Sequence, residues 1–98
     1  MSDQASSSFG EKIREIRDAE EMGRQEFSDK TGIPKNTLIR LEQGKNEPSA
    51  KVLSQVCRAF SQYTTWLMAD VVNENAGQIS PGMERTRKEL KATGTDTD

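Results

Sequence analysis

The sequence predicts an all-α domain of five helices, set between a short polar arm and a polar tail. Three observations carry that expectation. Apolar residues recur at helical spacing between Phe9 and Val72. Helix caps and glycine stops fall where those periodic segments begin and end. No stretch shows strand-like alternation of useful length, and there are no internal repeats.

Residues 1–7 are small and polar and read as a flexible arm. Ser8 then precedes Phe9, with Glu11 three residues after the serine. In that capping-box pattern the hydroxyl accepts from an orphan amide while the carboxylate reaches back. Phe9, Ile13 and Ile16 follow as one apolar stripe, so a first helix is expected from about Phe9 to Glu20. Met22 and Gly23 interrupt it. Arg24 to Thr31 reads as a short second helix anchored by Phe27, and Gly32 closes it because glycine tolerates positive φ. Pro34 suits the first turn of a third helix, which runs to Gln43 with Leu38 and Leu41 inward and Gly44 as its stop.

Ser49 caps a fourth helix whose Val52, Leu53, Val56, Cys57 and Phe60 form a broad inward stripe. Cys57 reads there as a small core residue. After a break at Ser61 to Thr65, Trp66 to Val72 suggests a short fifth helix, with Trp66 as a lid on the core. From Asn73 the composition turns polar. Pro81 to Lys91 could form a weak helix, with Met83 and Leu90 one heptad apart. The expected organisation is therefore an arm (1–7), one domain (8–72) and a polar tail (73–98) serving as a short helix or as a dimerisation or partner segment.

Composition excludes several classes. A chain of 98 residues has room for one domain, and its 32% hydrophobic residues are concentrated in the middle, which favours a folded centre over global disorder. One cysteine forms no internal disulfide, and the absence of histidine argues against a zinc site, so no metal or cofactor is expected. No apolar run has the length of a membrane span and the start lacks signal-peptide features, so a cytoplasmic protein is expected. With no nucleophile beside a base, no catalytic constellation is present and an enzyme is not expected.

The formal charge of −2 runs against nucleic-acid binding, but its distribution does not. Residues 1–23 carry three basic and six acidic side chains, a balance of −3, whereas residues 24–45 carry five basic and three acidic, a balance of +2. That basic excess falls on the two short helices joined by a tight glycine turn. In such a unit the second helix enters the major groove of DNA while the first crosses the backbone. The third helix opens with Lys35, Asn36 and Thr37, and Arg40 follows about a turn later. Lys35 and Arg40 can donate to guanine O6 and N7, Asn36 can pair with adenine, and Thr37 suits a phosphate or a thymine methyl.

Phe27-Ser28, Gly32-Ile33, Leu38, Leu41-Glu42-Gln43-Gly44-Lys45, Pro48-Ser49 and Trp66-Leu67 together resemble the Cro/CI-type (lambda-repressor-like) helix-turn-helix family of phage repressors and bacterial regulators. The resemblance covers about residues 9 to 70. It implies Lys35, Asn36 and Arg40 as base-facing residues, and Arg24, Gln25, Thr37 and Lys45 as phosphate contacts. It also implies that Glu42 pairs with Arg17 on the first helix. Dimerisation would involve the region around Tyr63, Trp66, Leu67 and Val71. Three positions depart from the pattern. Arg24 stands where the family often has a glutamine that touches phosphate and braces the recognition helix; the arginine can keep the phosphate contact, and whether it also braces the helix is left open by the resemblance. Gly23 replaces a serine cap, at a cost of a few tenths of a kcal/mol. Ser28 replaces an alanine and is still small enough for close packing. The resulting expectation is a homodimeric, sequence-specific DNA-binding transcription regulator that represses from an inverted-repeat operator. The alternative is an antitoxin-type regulator whose tail, residues 73–98, binds a partner protein.

Overall fold

The computed structural model describes residues 8–94, so the expected arm over residues 1–7 lies outside the described residues. Six helices follow one another: α1 (Phe9–Ala19), α2 (Arg24–Thr31), α3 (Lys35–Glu42), α4 (Ala50–Ala59), α5 (Thr64–Ala69) and α6 (Pro81–Gly94). Among the described residues there is no strand, only an isolated antiparallel bridge between Asn73 and Gln78. The all-α expectation holds, and α6 occupies the Pro81 to Lys91 stretch read as a weak helix beyond the five of the domain. None of these helices is long and apolar enough to cross a membrane.

The core gathers the residues that the apolar periodicity selects. Ile13 and Ile16 of α1, Phe27 of α2, Leu38 and Leu41 of α3, and Leu53 and Val56 of α4 meet Ile33, Phe60, Tyr63 and Leu67 in one buried cluster. The rings of Phe27 and Phe60 stack with centroids 5.3 Å apart and planes 7° from parallel. Such a pair adds about 0.5–1.5 kcal/mol to the burial of its area. Cys57 and Trp66 are half-buried against the cluster, as expected for a small core residue and a lid.

Local chemistry sets where the helices start and stop. The Ser8 hydroxyl accepts from the Glu11 amide at 3.1 Å, and the Glu11 carboxylate accepts from the Ser8 amide at 3.2 Å. At the other end of α1, the Met22 amide donates to the Arg17 carbonyl and the Glu21 amide to the Asp18 carbonyl, at 3.1 and 3.0 Å. This Schellman closure requires a left-handed residue, and Glu21 supplies it at φ 59. The end of α3 has the same closure with a glycine: Gly44 sits at φ 78 while the Lys45 amide donates to the Arg40 carbonyl at 2.9 Å.

A close approach of α1 and α3 has no counterpart in the sequence reading. Gly10 faces the backbone of Leu41, and a Cβ at Gly10 would run into the Leu41 carbonyl oxygen. Glycine in a helix sacrifices about 1 kcal/mol of intrinsic propensity, so its presence here is explained by this contact.

The chain beyond α4 departs most from expectation. A 3-10 turn at Ser61–Tyr63 leads directly into α5 at Thr64, and Asp70, left-handed at φ 58, ends the helix before Val71 and Val72. Lys12 of α1 accounts for that stop. Its ammonium is buried, donates to the Trp66 and Leu67 carbonyls at 3.0 and 3.2 Å, and meets the Asp70 carboxylate at 2.6 Å. It also lies 5.1 Å from the centroid of the Trp66 ring. A cation on the last carbonyls of a helix satisfies groups that have no intrahelical partner.

The segment expected as a polar tail is structured over most of its length. The Ile79 amide donates to the Gln62 carbonyl at 2.8 Å, and the Gln78 side chain accepts from the Thr65 amide at 2.9 Å. These bonds return the chain to the start of α5. From there α6 packs on α1, and Lys88 donates to the Ala19 carbonyl at 2.5 Å. The buried Glu84 pairs with Arg87 at 2.6 Å, and that guanidinium holds its carboxyl below the usual carboxylate range. The neighbouring Tyr63 hydroxyl donates to Glu20 at 2.7 Å, and burial together with this carboxylate pushes the phenol well above its ordinary pKa. Met83 is half-buried and Leu90 exposed, so the heptad pair does not form one packed stripe.

Gly10→Ala is expected to destabilise the protein by about 1–3 kcal/mol, as overpacking against backbone does, although alanine is the better helix former. Urea denaturation reads the change. Glu21→Gly should raise stability by about 1 kcal/mol, because the left-handed conformation is strained for any residue with a Cβ. An unchanged denaturation midpoint in that variant would show the Glu21 backbone to be unstrained.

Candidate nucleic-acid interface

The turn between α2 and α3 is fastened by its own polar residues. Gly32 takes φ 81 and donates its amide to the Ser28 carbonyl at 2.8 Å. The Thr31 hydroxyl donates to the Phe27 carbonyl at 2.8 Å and accepts from the Ile33 amide at 3.2 Å. Ser28, standing where the resemblance implies an alanine, donates its hydroxyl to the Ile33 carbonyl at 2.5 Å. Pro34 then occupies the cap position, one residue before the first turn in which it was expected, and Lys35 begins α3. Among the described residues, no side chain caps this end.

At 100° per residue, Leu38 and Leu41 fix the inward direction of α3, and Asn36, Arg40 and Gln43 fall on the opposite side. All three are exposed, as is Lys35 on the flank, while Thr37 is half-buried. Gln43 is not among the residues expected from the sequence, although the helical period alone places it on the outward stripe. Asn46 is a further addition. With its amide oxygen turned toward Arg40 it accepts from Arg40 Nε at 3.1 Å and donates to the Lys45 carbonyl at 2.8 Å. That bond steadies Arg40 against the loop. Lys45 itself is exposed immediately beyond the Schellman closure.

Behind this face lies Glu42, whose side chain is 1% exposed. Arg17 approaches it side-on, with Nε to Oε2 at 2.8 Å and Nη2 to Oε1 at 2.9 Å, the bidentate geometry that makes guanidinium–carboxylate pairs strong. The pairing implied by the resemblance is therefore present, and its hydrogen bonds and charge raise the Arg17 pKa further. Arg17 also donates through Nη1 to the Met22 carbonyl at 3.0 Å. A second cation joins the pair: Arg24 Nε donates to Glu42 Oε1 at 3.1 Å. The bracing that the change from glutamine to Arg24 left open is thus supplied by the arginine itself. The arginine reaches the carboxylate that holds α3, and its side chain stays 39% exposed.

Other expected site residues are placed less simply. Gln25 is exposed, but its amide donates to the Asp29 carboxylate at 3.0 Å. Of the four dimer candidates, Tyr63 and Leu67 are fully buried in the core and present no surface, a correction that follows from their place in one cluster with Ile13, where the Tyr63 hydroxyl is also held by Glu20. Trp66 is half-buried and Val71 exposed, and Met68 and Val72 are exposed near them.

Two short helices at a fastened turn, with polar residues outward on the second, define a helix-turn-helix DNA-binding protein. Comparison with known proteins agrees. A helix-turn-helix family profile matches residues 13–67, more than half of the chain. Repressor protein C of Escherichia phage P2 is 34% identical over 80 residues, covering 80% of this chain and 81% of that protein. An uncharacterized HTH-type transcriptional regulator of Archaeoglobus fulgidus is 34% identical over 50 residues, covering 51% of this chain and 71% of that protein. The chain belongs to the helix-turn-helix family of the Cro/CI type, and it is a DNA-binding transcription regulator.

Removing the shared carboxylate leaves the mostly buried Arg17 with only a marginal 4.0 Å contact to Asp18, and the half-exposed Arg24 without its carboxylate. Glu42→Ala is expected to lower stability by about 3–5 kcal/mol, read by urea denaturation. Arg24→Ala should cost about 1 kcal/mol or less, because its side chain is partly solvated and Arg17 still holds the carboxylate. Equal losses in the two variants would contradict this division.

Proposed function

We propose that the protein is a repressor that binds an inverted-repeat operator as a homodimer and acts by occupying a promoter in the cytoplasm. The outward stripe of α3 carries this reading: Asn36 and Arg40 project away from a helix whose other side is locked by Leu38, Leu41 and Glu42. Lys35, Asn36 and Arg40 contact base edges in the major groove. Thr37, Lys45, Gln25 and the solvated part of Arg24 contact phosphates, so they set register and orientation and carry no sequence information. The resemblance to a protein described as a phage repressor supports repression over activation. A single module of this size has a small interface, and two copies on half-sites about one helical turn apart supply the missing area.

Val71 and Trp66, joined by Met68 and Val72, are the accessible apolar residues from which the two-fold contact would be built. The antitoxin-type reading draws less support. It calls for a tail free to cover a partner, whereas α6 already packs on α1 through Lys88 and Ala19.

Footprinting on the DNA immediately upstream of its own gene tests the proposal, with a protected, two-fold-symmetric site expected. Protection of one unsymmetrical stretch would remove the inverted-repeat geometry. Arg40→Ala should weaken binding to the protected site by about 1–3 kcal/mol and leave the melting temperature nearly unchanged. A variant that melts early would make Arg40 structural.

A further inference from the structure

Ion pairing divides the cations of this protein into two groups. Among the described residues, Arg17 and Arg24 are paired with Glu42, Lys12 with Asp70, Arg14 with Asp18 and Arg87 with Glu84. Among the cations with no carboxylate of the described residues at ion-pairing distance are Lys30, Lys35, Arg40, Lys45, Lys51 and Arg58. Three of these, Lys35, Arg40 and Lys45, belong to or follow α3. The other three, Lys30, Lys51 and Arg58, line a separate open cleft between the end of α2 and one side of α4.

That cleft has a definite construction. Lys51, Gln55 and Arg58 stand at i, i+4 and i+7 and so share one side of α4. Lys30 and Thr31 form the opposite wall, and the Gln55 amide joins the walls by donating to the Thr31 carbonyl at 3.4 Å. Arg58 is steadied by a 3.2 Å bond to the Ser54 hydroxyl. Among the described residues, no acidic side chain lines the cleft. Its three full positive charges outweigh the roughly half negative charge at the C-terminus of α2. Gly32 lies beside the same side chain: a Cβ there would meet Gln55 Nε2 at 3.2 Å.

Position identifies what these charges meet. Lys30 precedes Lys35 by five residues, which span at most about 18 Å of chain, and Lys51 and Arg58 line the same cleft. The major groove is about 12 Å wide. A cation set that close to the first base-facing residue of α3 lies at the distance of the phosphates bordering the groove. We propose that the Lys30–Lys51–Arg58 cleft is a second phosphate-binding surface, which grips the DNA backbone beside the groove that α3 reads. The inference rests on the DNA-binding reading and extends its contact surface from α3 to α4.

The test uses the full-length chain carrying Lys30→Gln, Lys51→Gln and Arg58→Gln together. Binding is measured by fluorescence anisotropy at several salt concentrations, on a duplex spanning the footprinted site and on a shuffled duplex. Each phosphate left without its cation should make the plot of log affinity against log salt shallower by about 0.9, so about 2.7 for all three. The weakening should be similar on both duplexes, because phosphates carry no sequence information. Ethylation interference should lose the corresponding backbone positions, and the melting temperature should stay near that of the wild type. The charge-conserving set Lys30→Arg, Lys51→Arg and Arg58→Lys should keep the wild-type slope. An unchanged slope in the glutamine variant overturns the inference, as does an equally shallow slope in the charge-conserving set. So does capture of an acidic protein by the wild-type cleft with DNA affinity unaltered in the variant. A wild-type chain without salt-dependent binding to either duplex would remove the DNA reading itself. Wild-type binding with an unaltered variant would remove only the second surface.

Discussion

The carboxylate of Glu42 is the group on which the placement of the recognition helix depends. Stripping an ionised carboxylate of water costs several kcal/mol, and only close, well-directed opposite charge offsets it. Here two guanidiniums from different segments do so, one from α1 and one from the first residue of α2. Three segments are thereby referred to a single point. Arg17 extends the arrangement by holding the Met22 carbonyl, so the loop leading into α2 shares the same anchor. The backbone contact at Gly10 and Leu41 then fixes the distance between α1 and α3, while the charges fix their rotation.

Two cations elsewhere close helices. Lys12 covers the carbonyls at the end of α5, and Lys88 covers the one at the end of α1. Because the cations paired with acids among the described residues are Lys12, Arg14, Arg17, Arg24 and Arg87, and not those that face outward on α3 and α4, the formal charge of −2 is a poor guide to the field there. The same circumstance explains how an acidic chain presents a positive surface to a polyanion.

Much of this is legible in the sequence, for local reasons. The period of Ile13, Ile16, Leu38, Leu41, Leu53 and Val56 places the core, and Ser8, Gly32, Gly44 and Ser49 mark the helix ends. What stays hidden depends on contacts between distant segments. Gly10 reads as a weak helical position until Leu41 stands against it, and Lys12 reads as a solvated charge until α5 ends above it. A polar composition after Asn73 suggests a loose tail, because burial of a few groups such as Pro81 and Glu84 leaves hardly any mark on mean polarity. Tyr63 and Leu67 read as a partner surface for a related reason: periodicity tells which side of a helix is apolar, not whether that side is already occupied.

The contact between Gly10 and Leu41 has a mechanical consequence. Side chains can repack, but a backbone lying against a backbone has almost no compliance, so α3 cannot slide or tilt to suit an imperfect groove. When such a helix meets DNA, the duplex is the softer of the two bodies and must supply any adjustment. Base steps differ in stiffness, so the energy of that adjustment varies with sequence even where no side chain reaches a base. Under the proposed operator binding, a single missing methyl group on α1 thus turns the flexibility of the DNA into part of what the protein recognises.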